Sequence, residues 1–142
     1  MRAISLWQPW ASLRLSPMKI HETRHWRTDY RGPLVVHAAK KLVSRCDEEL
    51  DELCIQQFGP YWRKELPRGA LIGVVDLVST IRSDEFGPAM RTDAPNFICG
   101  DWSPGRWGWQ RSDEFKPFST PIPYKGHQGF FLVNDALLAD AA

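Results

Sequence analysis

The sequence is short of cysteine, long apolar runs and phosphate-binding glycine loops, and each shortage removes a class of protein. Its three cysteines, Cys46, Cys54 and Cys99, are odd in number and form no CxxC pair. That excludes a disulfide framework, fits a reducing compartment, and leaves them as small buried or half-buried side chains. No run of about 18 apolar residues occurs, so no membrane association through a spanning helix is expected. Met1–Ser5 enters an alternating pattern without the apolar stretch or small-residue cleavage site of a secretory signal, so the expected location is cytoplasmic. No glycine-rich turn follows a strand, which argues against a dinucleotide or nucleoside triphosphate, and no cofactor is expected. HExxH and GxSxG are missing, as is a convincing Ser-His-Asp order. His21 and His25 share one face of a predicted strand, but two histidines without a third ligand do not make a metal site, and none is expected.

What is present is a chain of 142 residues, 43% apolar, with a net charge of +1. That is enough apolar material for one core, read here as a single domain over residues 1–142, and too little charge for a disordered tail. The near-neutral total hides an asymmetry. Residues 1–45 hold nine Lys/Arg against Glu22 and Asp29, a net of +7, whereas residues 46–142 hold nine against fifteen, a net of −6. Lopsided charge of this kind suggests either a face that attracts an anion or two halves that pack together. Seven tryptophans are also many for the length. Trp7, Trp10, Trp26, Trp107 and Trp109 lie beside basic or Gly/Pro-rich segments, where an indole can stack a nucleobase while a cation holds phosphate. Any one of them serves equally well as core.

Hydrophobic periodicity and turn residues predict strands at Arg2–Leu6, Lys19–Arg27, Leu34–His37, Ala70–Val78, Arg106–Arg111 and Gly129–Val133. Helices are predicted at Pro9–Leu15, Asp47–Phe58 and Asp135–Ala141, with a loop-rich stretch over 82–105 and a proline-broken extended one over Pro117–Pro123. Gly73 inside a core strand predicts a bulge or a close backbone approach. Short strands with small helices favour an α+β fold, a small β-barrel or sandwich with short flanking helices, over a doubly wound sheet.

Within the strand at 19–27, period two places Ile20, Glu22, Arg24 and Trp26 on one side. A carboxylate and a guanidinium sharing an apolar face must be paired or aimed into a wet cleft, because an unpaired buried charge costs several kcal/mol. Lys19 and Glu22 are an odd number apart. They line one cleft only if Lys19 sits in the preceding turn or at a bulge.

Four blocks in order carry a family likeness: Ser5-Leu6-Trp7-Gln8-Pro9-Trp10-Ala11; Lys19-Ile20-His21-Glu22-Thr23-Arg24; Tyr30-Arg31-Gly32-Pro33-Leu34-Val35-Val36-His37-Ala38; and Gly105-Arg106-Trp107-Gly108-Trp109 followed by Pro121-Ile122-Pro123-Tyr124-Lys125-Gly126. Together they resemble the ASCH domain family, whose members have a PUA-like β-barrel. The resemblance implies a cleft lined by Lys19, Glu22 and Arg24, with Trp7 and Gln8 at its rim, and an RNA- or nucleotide-binding role. Some members of the family are ribonucleases, and a bacterial branch removes the acetyl group of N4-acetylcytidine. That branch carries Lys-x-x-Thr-x-Arg. Here Lys19 and Arg24 match, but Glu22 stands in place of threonine, and Ser16-Pro17-Met18 replaces a usual glycine. Asp101 or Glu85 is the candidate for the branch's later catalytic glutamate.

A lysine acting as base or nucleophile needs a lowered pKa. Arg24 would push Lys19 that way and Glu22 would push back, so the trio reads first as an ion-paired binding constellation. Lys19 and Arg24 would meet phosphate or carbonyl oxygen, Glu22 an amino donor, and Trp7 or Trp107 a base, with Arg27, Arg31, Lys40 and Lys41 extending the track. The partner is then RNA or a modified nucleoside. The alternative is a hydrolase on an acylated cytidine or on RNA, in which Lys19, Glu22 and Arg24 are catalytic, the carboxylate serving as general base beside an oxyanion-stabilising cation.

Overall fold

The computed structural model describes residues 1–44, 46–85, 93–139 and 141 of the chain. Six strands, β1 (Arg2–Gln8), β2 (His21–Arg24), β3 (Gly32–Leu42), β4 (Ala70–Arg82), β5 (Trp107–Pro123) and β6 (Phe130–Leu132), form one sheet. Their order is β2-β5-β4-β3-β1-β6, antiparallel except for the β1–β3 pair. Short helices accompany it among the described residues: α1 (Trp10–Arg14), α2 (Glu48–Phe58), α3 (Trp62–Glu65), α4 (Ala94–Ile98) and α5 (Asp135–Leu138). The α+β class therefore stands. None of the described helices is long and apolar enough to cross a membrane.

The expected barrel is an open sheet whose two edges meet through side chains. Its edge strands have only four and three residues, and short edges limit further backbone pairing. Across the gap, Arg24 Nη2 donates to Ser5 O at 3.1 Å, and the rings of Trp26 and Phe130 meet edge to face at 5.5 Å. Trp109 is fully buried behind them, in a core with Ile4, Leu6, Leu34, Val36, Val75 and Leu77. A second apolar cluster joins Leu13 of α1 to Leu50, Leu53 and Cys54 of α2, to Trp62 and to Cys99. Asp47 caps α2 through Leu50 N, and Gly59 ends it at φ 91°, as its acidic start and Gly-Pro stop predict.

Several boundaries differ from the sequence reading, each for a packing reason. The predicted strand at 19–27 shrinks to His21–Arg24, because residues 15–18 form a turn and Lys19 precedes the strand. That position is the one that lets Lys19 and Glu22 share a cleft. The separate stretches at 106–111 and 117–123 are one 17-residue strand, β5, since β4 pairs along its length despite the prolines. Likewise β3 runs on to Leu42 and β4 to Arg82. Helix α3 was not expected, and α4 lies within the stretch read as loop; the Gly87-Pro88 punctuation falls outside the described residues. At Gly73 the β4 register shifts, and a Cβ there would lie 2.6 Å from Leu15 and 2.7 Å from Lys116 O. The glycine serves both as bulge and as close approach.

Candidate functional site

A cleft of about 550 Å³ opens between β1, the start of β2 and the segment after α4. Its floor is a chain of charges. Lys19 Nζ lies 3.2 Å from Glu22 Oε1, and Arg24 Nη2 lies 3.4 Å from Glu22 Oε2. Side-chain exposure rises along the chain, 1% for Lys19, 12% for Glu22 and 24% for Arg24, so the trio runs from the buried base towards open solvent. Lys19 Nζ also donates to Cys99 O and sits 5.4 Å from the Trp10 ring. At the mouth Trp7 is 46% exposed, with the Lys41 ammonium 4.4 Å from its ring centre.

The turn that presents Lys19 is held by two buried arginines that the sequence reading did not single out. Arg14 donates to Ile20 O and, at 2.9 Å, to Trp109 O. Arg111 donates to Arg14 O, Ser112 O and Ser16 O at 3.1, 2.7 and 2.7 Å. Their guanidiniums donate to the carbonyls of the turn and its flanks, and Arg111 N adds a second bond to Ile20 O at 3.1 Å. The opposite face of β2 is clasped by 94–102. Asn96 Nδ2 meets His21 Nδ1 at 2.8 Å, Asp101 N donates to Thr23 Oγ1 at 2.9 Å, and Trp102 meets the His21 ring edge to face. This clasp carries the Cys99 carbonyl to Lys19. It also explains His21, which the sequence placed beside His25 as a weak ligand pair. Burial, with Arg14 adding, pushes the imidazole down to about 4, so it is neutral at pH 7.

Charge balance in the floor favours the positive sign. Burial pushes Lys19 below its usual value; Glu22 pulls it back only in part, and Arg14 adds to the lowering. For Glu22, burial alone would raise the carboxyl, but Lys19, Arg24 and Arg14 together outweigh it and hold the group below its ordinary range. The expected opposition between Glu22 and the cations is therefore present, and burial decides the outcome for the lysine. One ionised carboxylate faces three cations. In addition, Arg24 Nε is buried with no hydrogen-bond partner among the described residues. Asp101 lines the same cleft, 3.4 Å from Arg106 Nε, and Ser103's hydroxyl is the first cause of its lowered pKa.

Not every predicted site residue gathers here. Gln8 is fully buried, not at the rim. Its amide donates to Ser12 Oγ and Pro67 O, both at 2.8 Å, and accepts from Ser12 N at 3.0 Å, tying β1 to α1. Arg27 pairs with Asp29 at 2.6 Å and lies 5.8 Å from the Trp107 ring, whose other flank is Arg82. Arg31 is tied to Thr28 O, Tyr30 O and Thr80 Oγ1. Arg27 thus lies against Trp107 and Asp29, and Arg31 holds the 28–31 segment, all outside the cleft lining. Lys40 faces a different cavity. Glu85 is exposed away from the cleft, leaving Asp101 as the acidic candidate. Arg106 is a cleft residue that the sequence reading did not pick out. No group of metal-ligating side chains occurs among the described residues.

The model of the ASCH domain matches residues 4–101. Activating signal cointegrator 1 of Homo sapiens is 32% identical over 107 residues, which are 68% of this chain and 18% of the human protein. The Mus musculus protein of the same name is 33% identical over 88 residues, 58% of this chain and 15% of its own length. The chain thus spans less than a fifth of these curated relatives. Among solved structures, ASCH from Zymomonas mobilis aligns over 98% of this chain and 91% of its own, with TM-score 0.60 and 12% identity. A point mutant of that protein aligns over 96% and 92%, with TM-score 0.57 and 11% identity. At these identities the likeness shows the fold alone.

Proposed function

Since the chain belongs to the ASCH domain family, we propose that its cleft captures a nucleobase, presented by single-stranded RNA or as a modified nucleoside. The observation that carries this is the Lys19–Glu22–Arg24 floor beneath the half-exposed indole of Trp7. In this reading Trp7 stacks the base, Glu22 accepts from an amino or amide donor, and the guanidinium of Arg24, which is 24% exposed and lines the cleft, takes a carbonyl or phosphate oxygen. Lys19 is too deep to meet phosphate. It orients Glu22 and closes the base of the cleft.

One sheet containing all six strands supports residues 1–142 as a single domain of this kind. The three free cysteines support a reducing, cytoplasmic setting.

A second reading, hydrolysis, is favoured by one observation: Glu22 is held ionised beside a lysine whose burial lowers its pKa. Glu22 would then take a proton from water, and Arg24 would steady the oxyanion. Incubation with short RNAs and acylated cytidines, followed by mass spectrometry, separates the two. Capture predicts bound, unaltered ligand, with affinity reduced in Arg24→Ala. A product that disappears in Glu22→Gln would replace capture by hydrolysis, and neither retention nor product would overturn both.

A further inference from the structure

On the other side of β1 lies a larger cavity of about 740 Å³, bounded by Ser5, by His37 and Lys40 of β3, and by the loop that follows β5. Among the described residues its lining includes Lys40, Lys125, His37 and His127 and no carboxylate, whereas the first cleft contains Glu22, Asp47 and Asp101. The two cavities share Ser5. Its carbonyl accepts from Arg24 in the first, at 3.1 Å, and its hydroxyl meets His37 Nδ1 in the second, at 2.9 Å. His37 Nε2 lies 2.7 Å from Tyr124 O. A carbonyl only accepts, so Nε2 carries the proton and Nδ1 accepts from Ser5. With both nitrogens engaged and burial pushing its pKa down, His37 is a neutral strut. The loop settles on this strut through Gly126, where a Cβ would lie 2.6 Å from His37 Cε1. The ligand-facing groups are therefore Lys40, Lys125 and His127, all exposed.

Lys40 and Lys41 link the two cavities. The β1–β3 register shifts between Leu6 and Gln8, opposite residues 39–41, and there Lys41 packs on Trp7 at the mouth of the first cleft while Lys40 lines the second cavity.

We propose that the second cavity holds the sugar-phosphate backbone of the RNA strand whose base enters the first cleft, with Lys40 and Lys125 as its phosphate contacts. The proposal rests on the capture reading and extends it from one base to a strand crossing β1. A cation-only lining suits phosphate, and it places part of the basic excess of residues 1–45 along one path.

The test is the salt dependence of binding of a single-stranded oligoribonucleotide to wild type, Lys40→Gln/Lys125→Gln and Arg24→Ala. Each phosphate contact on a single strand contributes about 0.7 to the slope of log K against log salt. The double variant should lose about 1.4 of that slope while keeping wild-type affinity for an unphosphorylated nucleoside. An unchanged slope in the double variant, with RNA still bound, overturns the second cavity and leaves the first standing. Wild type that binds the nucleoside but no RNA likewise overturns the second cavity alone, and wild type that binds neither overturns both. Equal affinity for an oligoglutamate of the same charge also overturns the proposal, because a surface for acidic protein would behave that way.

Discussion

Replacing Glu22 by glutamine removes one charge and almost no volume, which isolates what the carboxylate does for the cleft floor. At 3.2 Å and an effective dielectric of about 20, the attraction between Lys19 and Glu22 is about 5 kcal/mol before desolvation. Removing one partner of a buried pair typically costs about 3–5 kcal/mol, because the other is stranded. Lys19 is 1% exposed and cannot turn to water, so Glu22→Gln should lose about 3–4 kcal/mol at pH 7. Lys19→Met should cost about half as much, since Glu22 keeps Arg24 at 3.4 Å and a route to solvent. With both charges gone nothing is stranded, so the double variant should be more stable than Glu22→Gln alone. The pH dependence has a definite sign. The folded carboxyl titrates below its ordinary 4.5, so its contribution is present above that value and lost as pH falls through the folded pKa. Glu22→Gln lacks that acid loss. Burial holds Lys19 below 10.5, so folding disfavours its charged form and stability rises as pH climbs towards 10.5. Urea unfolding followed by tryptophan fluorescence and circular dichroism reads all of this. A loss below about 1 kcal/mol in Glu22→Gln, or strict additivity with Lys19→Met, would refute the coupled floor.

Trp7→Ala should weaken ligand binding by about 1–3 kcal/mol through lost stacking while leaving the urea midpoint nearly unmoved. Calorimetric titration beside an unfolding curve checks both halves. His21, lowered from 6.5 to about 4, should cost stability progressively as pH falls from 6.5 to 4, by about 3 kcal/mol at full protonation. His21→Gln should flatten thermal stability over that window, and an unchanged profile would mean that His21 is not held neutral by folding. Gly73→Ala should lower Tm by several degrees, since its Cβ would press on Leu15 and on the Lys116 carbonyl and overpacking costs about 1–3 kcal/mol. A Tm equal to wild type would show that β4 and β5 can separate there.

The charged face of β2 was legible because Glu22 and Arg24 lie two apart in an alternating segment, which demands pairing. The same parity argument required Lys19 to sit in the preceding turn or at a bulge, and it precedes the strand. Gly73 and the end of α2 were legible for equally local reasons, a glycine in an apolar run and the Gly59-Pro60 pair after Phe58. What could not be read depends on distant partners. Nothing around Arg14 in the sequence marks it; its role appears only when Ile20 and Trp109 bring their carbonyls to it. Gln8 sits next to Trp7 in sequence, yet strand alternation sends it to the opposite side, into bonds with Ser12 and Pro67. Arg27 and Arg31 added to the basic count, but a count is blind to the nearby Asp29 and to the carbonyls that engage them. The prolines of β5 hid a strand because pairing with β4 overrides local preference.

The most direct measurement is a fluorescence titration of wild type and Arg24→Ala with a single-stranded oligoribonucleotide and with the duplex of the same sequence. Capture of an unpaired base predicts saturable quenching by the single strand that weakens as salt rises, about tenfold or more weaker binding in Arg24→Ala, and little response to the duplex. Equal response to both forms, or equal affinity in wild type and Arg24→Ala, would contradict it.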